Sequence, residues 1–431
     1  MSFTYPDLVI QNGRVIDPAN NVDKITNVII QDGKVVRVGD ISANVKPKEV
    51  FDASGCLVTP GLIDLHAHLY EYATPLGVNP DNTCLARGVT TVVDAGSAGA
   101  HTFQGLRKYI CERSKTRVLA FVHIASHGLS AAGCAGEGTK MVWPTCYKGG
   151  ECDSLNQVDA DLCAKCIKDN NDIAVGVKIR VTSFVTNDGK NEQEAFRRAL
   201  AASSNAGVPL MIHYGHSTIP INVGEDYEDM SCPGSLCKGD IFTHAFHAHP
   251  RSIINPEKKT IHPSVHKARN GGVLFDVGHG YGSFSWTVAE LCAKDHFWPD
   301  TISTDLHNEN VPGPAYDLPM TMTKLLHIGM PLYDVIKAVT MAPALAIAWQ
   351  DKIGSLSPNR MADVTILRVD DTSLDIEDCQ GQLRTVHKCI VPVAVWKDGV
   401  RYEIRKPDPI PGHNTARLIK NLDKLIIKDV L

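Results

Sequence analysis

Short apolar segments alternate with amphipathic, helix-forming segments from about residue 57 to residue 350. This order predicts parallel strands joined by helical crossovers. Eight such units favour an α/β fold of the closed (β/α)8 TIM-barrel type, whose chemistry lies at the C-terminal ends of the strands. The alternative is an open doubly wound sheet, but no Gly-x-Gly-x-x-Gly loop follows an early strand. The strands are predicted at 58–66, 90–95, 118–124, 173–181, 208–214, 239–245, 272–277 and 301–305.

The two ends of the chain have the pattern of a separate β module. Residues 1–56 and 351–410 contain short alternating strands joined by tight turns, which are hairpin signals. We therefore predict a small composite β-sandwich domain built from both segments, with the barrel domain, residues 57–350, inserted between them. The turns that indicate the hairpins are Asn12-Gly13, Asp32-Gly33 and Asp398-Gly399.

Two further segments fit neither pattern. Residues 126–157 are rich in Gly and Cys and have no clear periodicity, which predicts a long loop of the kind that covers a substrate. Residues 411–431 carry Leu418, Leu422 and Leu425 at helical spacing. They predict a helical tail that docks on the body or on a neighbouring subunit, and we expect a homo-oligomer.

Composition narrows the classes of partner. The net charge of −5 and the isoelectric point near 6.4 give no reason to expect nucleic acid or an anionic membrane. No apolar run approaches the ~20 residues that span a bilayer, and the first residues lack the features of a signal peptide. The 13 cysteines are expected to be reduced. We therefore expect a cytoplasmic protein with a small-molecule substrate.

The first predicted barrel strand ends in His66-Ala67-His68. Side chains two residues apart on a strand point to the same face, about 6–7 Å apart. Two imidazoles placed in this way can bind one metal ion, although a His-x-His pair is also common as ordinary polar residues at a strand end. The remaining strand ends decide between these interpretations.

Polar residues close five of the predicted strands. Lys178 lies among Val175, Val177 and Ile179, where an unpaired cation would be costly to bury, so it must be paired, snorkelling or chemically modified. Several such residues at the same end of a barrel predict a catalytic or metal site there. The six residues are His66, His68, Lys178, His213, His244 and Asp305.

These six residues, together with the motifs given below, make the sequence resemble the amidohydrolase superfamily of metal-dependent hydrolases. Within it, the chain is most similar to the amidohydrolase/deacetylase subgroup and is loosely dihydroorotase-like. The resemblance covers nearly the whole chain except residues 126–157, residues 232–237 and the C-terminal tail. It is carried by PGLIDLHAH at 60–68, Lys178, His213, His244, Ser303-Thr304-Asp305 and GSLSPNRMADVTIL at 354–367, and by the stretches 87–99, 274–286 and 302–330.

The resemblance implies a centre of two divalent metal ions. His66, His68 and Asp305 would bind one ion, His213 and His244 the other, and Lys178, carboxylated by carbon dioxide, would bridge both. Imidazole and carboxylate ligands suit Zn²⁺ best, with manganese and iron as alternatives. A hydroxide shared by the ions would attack the substrate carbonyl. Asp305 would be both a ligand and the catalytic proton shuttle.

The substrate-binding residues are predicted from their position near these ligands. Arg180 lies two residues after Lys178 and is a candidate to bind a substrate carboxylate; the alternative is a salt bridge at the barrel rim. Tyr70 lies two residues after His68. His279 and Tyr281, in the loop after strand seven, would border the leaving group. Further candidates next to ligand positions are His216, His247 and His307.

The subgroup resemblance implies removal of an acyl group from a small molecule, such as an N-acyl amino acid or an acylated hydroxy acid. The alternative is ring opening of a cyclic amide, as in dihydroorotase or dihydropyrimidinase. Purine deamination is a third possibility, which the bridging lysine disfavours. A further alternative is that the protein is not an enzyme but a catalytically inactive oligomeric scaffold. The presence of all six predicted ligands in the sequence disfavours it.

Overall fold

The computed structural model describes residues 6–41, 46–129, 150–221, 230–406 and 408. Two sheets dominate it, with helices packed around one of them. The strands are β1 (Leu8–Asp17), β2 (Val22–Gln31), β3 (Lys34–Val38), β4 (Glu49–Asp52), β5 (Leu57–Pro60), β6 (Leu62–Ala67), β7 (Val89–Gly99), β8 (Arg117–His123), β9 (Ala174–Val181), β10 (Leu210–Tyr214), β11 (Ile241–Thr243), β12 (Ile254–Asn255), β13 (Thr260–Ile261), β14 (Leu274–Phe275), β15 (Val364–Glu377), β16 (Leu383–Lys397) and β17 (Val400–Tyr402).

The helices lie in the middle of the chain, between residues 80 and 346. The predicted helix before strand five is present as α4, and it ends at Gly207, whose φ of 70° is the left-handed conformation that favours glycine at a helix C-terminus. The helices are α1 (Pro80–Thr83), α2 (Phe103–Leu106), α3 (Ala160–Asp169), α4 (Glu192–Ala206), α5 (Pro263–Asn270), α6 (Trp286–Lys294), α7 (Leu318–His327), α8 (Leu332–Ala338) and α9 (Met341–Ala346).

The sheet that carries the predicted site has seven strands in the order β14-β11-β10-β9-β8-β7-β6, and every neighbouring pair is parallel. Crossovers that contain helices join several of these strands, as the alternation of strand and helix patterns predicts. Seven of the eight predicted strands are therefore present, with changed bounds. The C-terminal ends of all seven lie at the same edge of the sheet.

The eighth predicted strand, 301–305, is not a regular strand, although the structure describes all of its residues. It makes single parallel bridges, Asp276 to Thr301 on one side and Ala67 to Leu306 on the other. The backbone N–H of Thr304 donates to the side-chain carboxylate of Asp64 in β6 rather than to a backbone carbonyl group of that strand, and the Thr304 hydroxyl donates to the same carboxylate. Side-chain hydrogen bonds thus replace part of the backbone ladder here.

The other sheet has eight strands and combines both ends of the chain. Its order is β17-β16-β15-β5-β1-β2-β3, with β4 beside β1, and its pairs are antiparallel except where β1 meets β4 and β5. The structure thus shows a mostly antiparallel composite sheet, while the second layer of a sandwich stays a prediction. The predicted boundary of the barrel at residue 57 also stays a prediction.

The predicted first barrel strand, 58–66, is two strands. β5 belongs to the composite sheet and β6 to the parallel sheet, and Gly61 separates them. The backbone N–H of Gly61 donates to Asp363 O at 2.7 Å, and a Cβ at this position would lie 2.2 Å from Thr90 Oγ1. Only glycine fits this crossing, so one apolar run in the sequence serves both sheets.

The parallel strands are buried on both faces. Val177, Ile179 and Val181 of β9 pack in the main apolar cluster with residues of α3 and α4, so alternation directs Lys178 and Arg180 to the other face. Among the described residues, no helix combines the length and apolarity needed to cross a bilayer. The predicted tail, 411–431, and residues 130–149 of the predicted loop lie outside the described residues.

Candidate metal centre

Five of the six predicted ligands line one cavity at the C-terminal edge of the parallel sheet. The sixth, His244, packs beside the others, with its ring centroid 4.2 Å from that of His213 and 5.0 Å from that of His66. Strand ends that are far apart in sequence thus bring these side chains together. The cavity is lined by His66, His68, Leu76, Lys178, Arg180, His213, Asp305 and His307.

Asp305 lies at the centre of the cluster. Its Oδ1 is 3.3 Å from His66 Nε2 and 3.1 Å from His68 Nε2. Side-chain atoms of His66, His244 and Asp305 that could bind one ion all lie within 4.8 Å of one another. Such short distances between imidazole and carboxylate atoms are those expected of groups that share a metal ion.

His244 and Asp305 both have a backbone conformation that is rare for residues with a side chain. Their φ angles are 64° and 47°, in the left-handed region. His244 lies just beyond the end of β11, and Asp305 lies between the bridges made by Thr301 and Leu306. Such a conformation costs of the order of 1–3 kcal/mol and persists at sites where surrounding contacts impose it. Here Asn310 Nδ2 donates to Asp305 O at 2.8 Å. The strain turns both side chains into the cluster.

The hydrogen bonds of His66 fix which ring nitrogen faces the cluster. The Thr243 hydroxyl donates to Asp276 Oδ2 at 2.7 Å, so its oxygen accepts the proton of His66 Nδ1 at 3.0 Å. The neutral imidazole therefore carries its hydrogen on Nδ1 and a lone pair on Nε2. A chain of imidazole, hydroxyl and carboxylate orients many metal-binding histidines in this way.

Two other histidines are oriented from behind by the same principle. His68 Nδ1 lies 3.0 Å from Ser97 Oγ, and Ser97 in turn binds the buried carboxylate of Asp94. His244 Nδ1 donates to Gly278 O at 2.6 Å. In each ring Nε2 is left as the atom with the free lone pair, and the lone pairs of His66, His68 and His244 all belong to one cluster.

Two buried atoms of the cluster lack hydrogen-bond partners among the described residues, namely His244 Nε2 and Asp305 Oδ1. Native proteins rarely leave buried polar atoms unpaired, and each exception needs an explanation. An ion coordinated by both atoms satisfies them. The unpaired atoms, the orientation of the rings and the imidazole and carboxylate donors together fit a divalent metal.

Burial keeps the histidines in the form that binds metal. It lowers the pKa of His244 to about 4 and holds the pKa of His66 and of His213 well below the usual value of histidine. At neutral pH these rings are therefore uncharged, and a metal ion does not have to displace a proton from Nε2.

Lys178 lies inside the cluster and is almost completely buried. Its Nζ is 3.1 Å from His66 Nε2 and 3.6 Å from Met211 Sδ. Burial lowers the pKa of its amine to about 7. A large part of the population is thus the neutral amine at physiological pH, which is the form that reacts with carbon dioxide.

The predicted substrate residues lie in different surroundings. Arg180 lines the cavity, but it forms a two-point ion pair with Glu151, as the alternative of a salt bridge foresaw. The Tyr70 hydroxyl donates to Thr102 O at 3.3 Å, and Tyr70 is not among the residues that line the cavity. Tyr281 is partly buried in the loop after β14. A substrate role for these residues stays a prediction.

His279 is buried and is not among the residues that line the cavity. Its Nε2 accepts a hydrogen bond from Lys324 Nζ at 2.8 Å, and its ring stacks on Phe284 with centroids 4.7 Å apart. The neighbouring Gly280 is packed against the site, since a Cβ there would lie 2.8 Å from Asp305 Oδ2. His279 therefore holds the loop beside Asp305, and its predicted role at the leaving group is untested.

Sequence reasoning missed the residues behind the ligands. Thr243 and Asp276 could have been found as polar residues at strand ends, because Thr243 ends β11 and Asp276 follows β14. Asp276 also lies in the resembling stretch 274–286. Ser97 and Asp94 lie in the resembling stretch 87–99. Glu151 carries no such signal, because it lies in a segment without periodicity.

Residues 57–401 match the sequence profile of the Amidohydrolase family. The chain belongs to the amidohydrolase family. This amidohydrolase is similar to a deacetylase of Agrobacterium fabrum, at 32% identity over 368 residues that cover 85% of this chain and 84% of the relative. It is also similar to a deacetylase of Enterococcus faecalis, at 29% identity over 92% of this chain and 99% of the relative.

Solved structures give the same relationship. The crystal structure of an adenine deaminase matches with a TM-score of 0.79 and 29% identity, covering 93% of this chain and 100% of the other. That of a dihydroorotase matches with a TM-score of 0.78 and 28% identity, covering 93% and 99%. Together with the deacetylases, these relatives show that this amidohydrolase is a hydrolase that acts on carbon–nitrogen bonds.

Proposed function

We propose that this amidohydrolase is a binuclear metal-dependent deacylase that removes an acyl group from a small molecule, such as an N-acyl amino acid or an acylated hydroxy acid. One observation carries the proposal: Nε2 of His66, Nε2 of His244 and Asp305 Oδ1 converge, and two of these atoms are buried and otherwise unpaired. They lie beside the amine of Lys178, which is 3.1 Å from His66 Nε2.

We also infer that the parallel strands close into an eight-stranded barrel. Segment 301–306 is bridged to Asp276, which follows β14, and to Ala67 of β6, the two edges of the seven-stranded sheet. In addition, the backbone N–H groups of Val277 and His279 donate to Thr301 O and Ser303 O at 3.1 Å. Closure would place Asp305 between the first and seventh strands, where the cluster needs it.

In the proposed centre His66, His68 and Asp305 hold one divalent ion, and His213 and His244 hold the second. When bound, such ions, most suitably Zn²⁺, lower the pKa of water and polarise a carbonyl group. The neutral amine of Lys178 would form an N–C bond to carbon dioxide and lose a proton, and the resulting carboxylate would be a further ligand for the ions. This step removes the problem of a poorly paired buried amine.

Side chains of the protein itself carry out the remaining steps. Asp305 accepts the proton of the attacking water and passes it to the leaving nitrogen or oxygen, which is general acid–base catalysis by a carboxylate. Thr243 and Ser97 keep the rings of His66 and His68 in one orientation during these steps. Gly280 leaves room for the Asp305 carboxylate, since any side chain there would approach Oδ2.

Ring opening of a cyclic amide is the second candidate. It is favoured by the crystal structure of a dihydroorotase, which matches over 93% of this chain. The sequence comparison favours deacylation, because the deacetylase of Enterococcus faecalis aligns over 99% of its length and a dihydroorotase of Solibacter usitatus over 30%. A homo-oligomeric state and a small-molecule substrate also remain part of the proposal.

Replacement of Asp305 by asparagine tests the proposal. The full chain is loaded with Zn²⁺ and bicarbonate and assayed on acylated amino and hydroxy acids of both hands and on cyclic ureides. We expect about two zinc ions per chain in both proteins, and a loss of turnover of about 10²–10⁴-fold in Asp305→Asn, because the proton shuttle is removed.

The control is Asp172→Asn, which breaks an exposed ion pair with Arg107 far from the cavity and should retain activity. Substantial turnover by Asp305→Asn would contradict the proton-shuttle role. A stable wild-type protein that binds no metal would contradict the whole proposal and favour a scaffold. Turnover of cyclic ureides alone would favour ring opening.

A further inference from the structure

One wall of the cavity is an ion pair between a strand residue and a residue of the predicted loop. Arg180 Nε contacts Glu151 Oε1, and Arg180 Nη2 donates to Glu151 Oε2 at 2.7 Å. The Arg180 side chain is 13% exposed and lines the cavity, whereas the Glu151 side chain is completely buried. The guanidinium that is best placed to bind a substrate anion therefore already binds a carboxylate of the chain itself.

Glu151 is fixed in this position by its neighbours. The Cys152 N–H donates to Val185 O at 2.9 Å, and Asn191 Nδ2 donates to Cys152 O and Asp153 O at 3.0 and 2.9 Å. Gly150 packs so closely that a Cβ there would lie 2.0 Å from Val185 Cα. These contacts anchor residues 150–153 to the segment after β9. Glu151 is thus held in a fixed position in the cavity wall.

His123 also contacts the pair but adds no charge to it. Its Nδ1 accepts the Ala125 N–H at 3.0 Å, so the neutral ring carries its proton on Nε2, which faces Glu151 Oε1 at 3.7 Å. Burial lowers the pKa of His123 to about 3, which keeps it neutral. Within the part of the chain that the structure describes, this ion pair therefore joins one cation and one anion, whose charges cancel.

We infer that Glu151 is a specificity-determining residue: by neutralising Arg180, it makes this wall select acyl substrates that present an uncharged group, such as a carboxamide or an ester, over a free carboxylate. The inference rests on the proposed function and narrows it from the free acylated amino and hydroxy acids to their amides and esters. A substrate carboxylate would have to compete with one that is tethered at high effective concentration. If a substrate carboxylate displaced Glu151 from Arg180, Glu151 would become an unpaired buried anion, which is strongly unfavourable.

The test compares two probes that differ in one group, N-acetylalanine and N-acetylalaninamide, on the zinc-loaded full chain. We expect the wild type to have the higher kcat/KM for the amide. In Glu151→Gln the guanidinium keeps its charge but loses its anion, so the ratio should shift about tenfold towards the free acid, the effect of one charge-assisted hydrogen bond.

A matched control exists on the surface. Glu290 forms a similar two-point pair with Arg384, at 2.7 and 3.2 Å, between α6 and β16, and Glu290→Gln should leave the ratio unchanged. The double variant Glu151→Gln/Arg180→Gln makes the wall neutral again and should restore the preference for the amide. It also tests the inference if Glu151→Gln alone does not fold, because removing both charges is far less destabilising than removing one.

A wild type that prefers the free acid, or a ratio that Glu151→Gln leaves unchanged, overturns the inference. Failure to hydrolyse any acylated compound would contradict the proposed deacylation on its own. The case in which neither probe is hydrolysed needs a binding measurement. In that case calorimetry compares the affinity of the zinc-loaded wild type and of Glu151→Gln for the same two compounds. The same order of affinities supports the inference, and equal affinities in both proteins overturn it.

Discussion

Two lysines of this amidohydrolase are buried to the same extent but have different surroundings. Lys324, on α7, donates from Nζ to His279 Nε2, Pro314 O and Glu377 O at 2.8, 2.9 and 2.6 Å. Lys178, on β9, has only His66 Nε2 at 3.1 Å and the weak acceptor Met211 Sδ at 3.6 Å among the described residues. An ammonium group has three hydrogens to place. The environment of Lys324 accepts all of them, and that of Lys178 does not.

The number of acceptors therefore distinguishes two uses of a buried lysine. Lys324 also lies 5.3 Å from the ring of Phe284 and 5.6 Å from that of Trp286, which further favours a cation. It links α7 to the loop beside Asp305 and to the end of β15. Lys178 instead lines the same cavity as Asp305, whose Oδ1 has no hydrogen-bond partner among the described residues. We conclude that Lys324 is suited to remain a cation that holds structure, and Lys178 to be chemically changed.

The largest expected effect is on activity. Lys178→Met keeps the volume of the side chain but removes the amine that would be carboxylated. Loss of a group behind a metal ligand typically costs 10–100-fold in activity or metal affinity, so loss of the bridge itself should cost more than about a hundredfold in kcat. Turnover and zinc content measure this loss. The free energy of unfolding should be unchanged or higher, since a poorly paired polar group is removed. Turnover by Lys178→Met at the wild-type rate would contradict the distinction between Lys178 and Lys324.

The next effect is on stability. Lys324→Met leaves two carbonyl groups and His279 Nε2 buried without their donor, and each orphaned acceptor costs of the order of 1–3 kcal/mol. We expect the free energy of unfolding in urea to fall by about 3 kcal/mol. The control is Lys352→Met, an exposed lysine whose Nζ lies 4.0 Å from the Trp349 ring and which should cost less than about 1 kcal/mol. Equal losses in both variants would show that Lys324 does not hold the loop.

The smallest effect is on the pH dependence of stability in the metal-free protein. Burial lowers the pKa of Lys178 to about 7 and of Lys324 to about 8, whereas an unfolded lysine has a pKa of about 10.4. Above these folded values the unfolded chain binds more protons, so stability rises with pH, by at most about 1.4 kcal/mol per pH unit for each lysine.

Urea unfolding at several pH values should show that the wild type gains stability relative to Lys178→Met as the pH rises above about 7. The other titrating groups, among them Lys324 and the buried histidines, are present in both proteins, so the comparison isolates Lys178. A stability difference that does not change with pH would indicate that the amine of Lys178 is not destabilised as a cation. The result would then place the two lysines in one class.

Much of the architecture could be predicted because it depends on local patterns. Seven parallel strands follow from apolar runs whose length and spacing are set within the sequence. The division of residues 58–66 into β5 and β6 depends on the contact of Gly61 with Asp363, which no local pattern contains. The irregularity of residues 301–305 likewise depends on the carboxylate of Asp64 in β6, which accepts the Thr304 N–H in place of a backbone carbonyl group of that strand.

The candidate site shows the same limit. The six predicted residues could be expected to meet because they lie on or just after parallel strands, or on the segment 301–306 bridged to them, and such strand ends share an edge. Alternation gave a sound reason to consider Arg180, which does line the cavity. It is a weaker guide for Tyr70, because β6 ends at Ala67, before the tyrosine. The partners Glu151 and Lys324 come from a loop and a helix whose positions are set only by packing.

The glycine junction between the two sheets has a consequence for biosynthesis. β5 pairs with β15, and the Leu62 N–H that begins β6 donates to Thr365 Oγ1, 303 residues further along. A ribosome that has translated as far as residue 350 has already delivered all six predicted ligands. The nascent polypeptide still lacks the partner that completes the strand leading to His66 and His68. Assembly of the candidate metal centre therefore waits for one of the last segments to be synthesised.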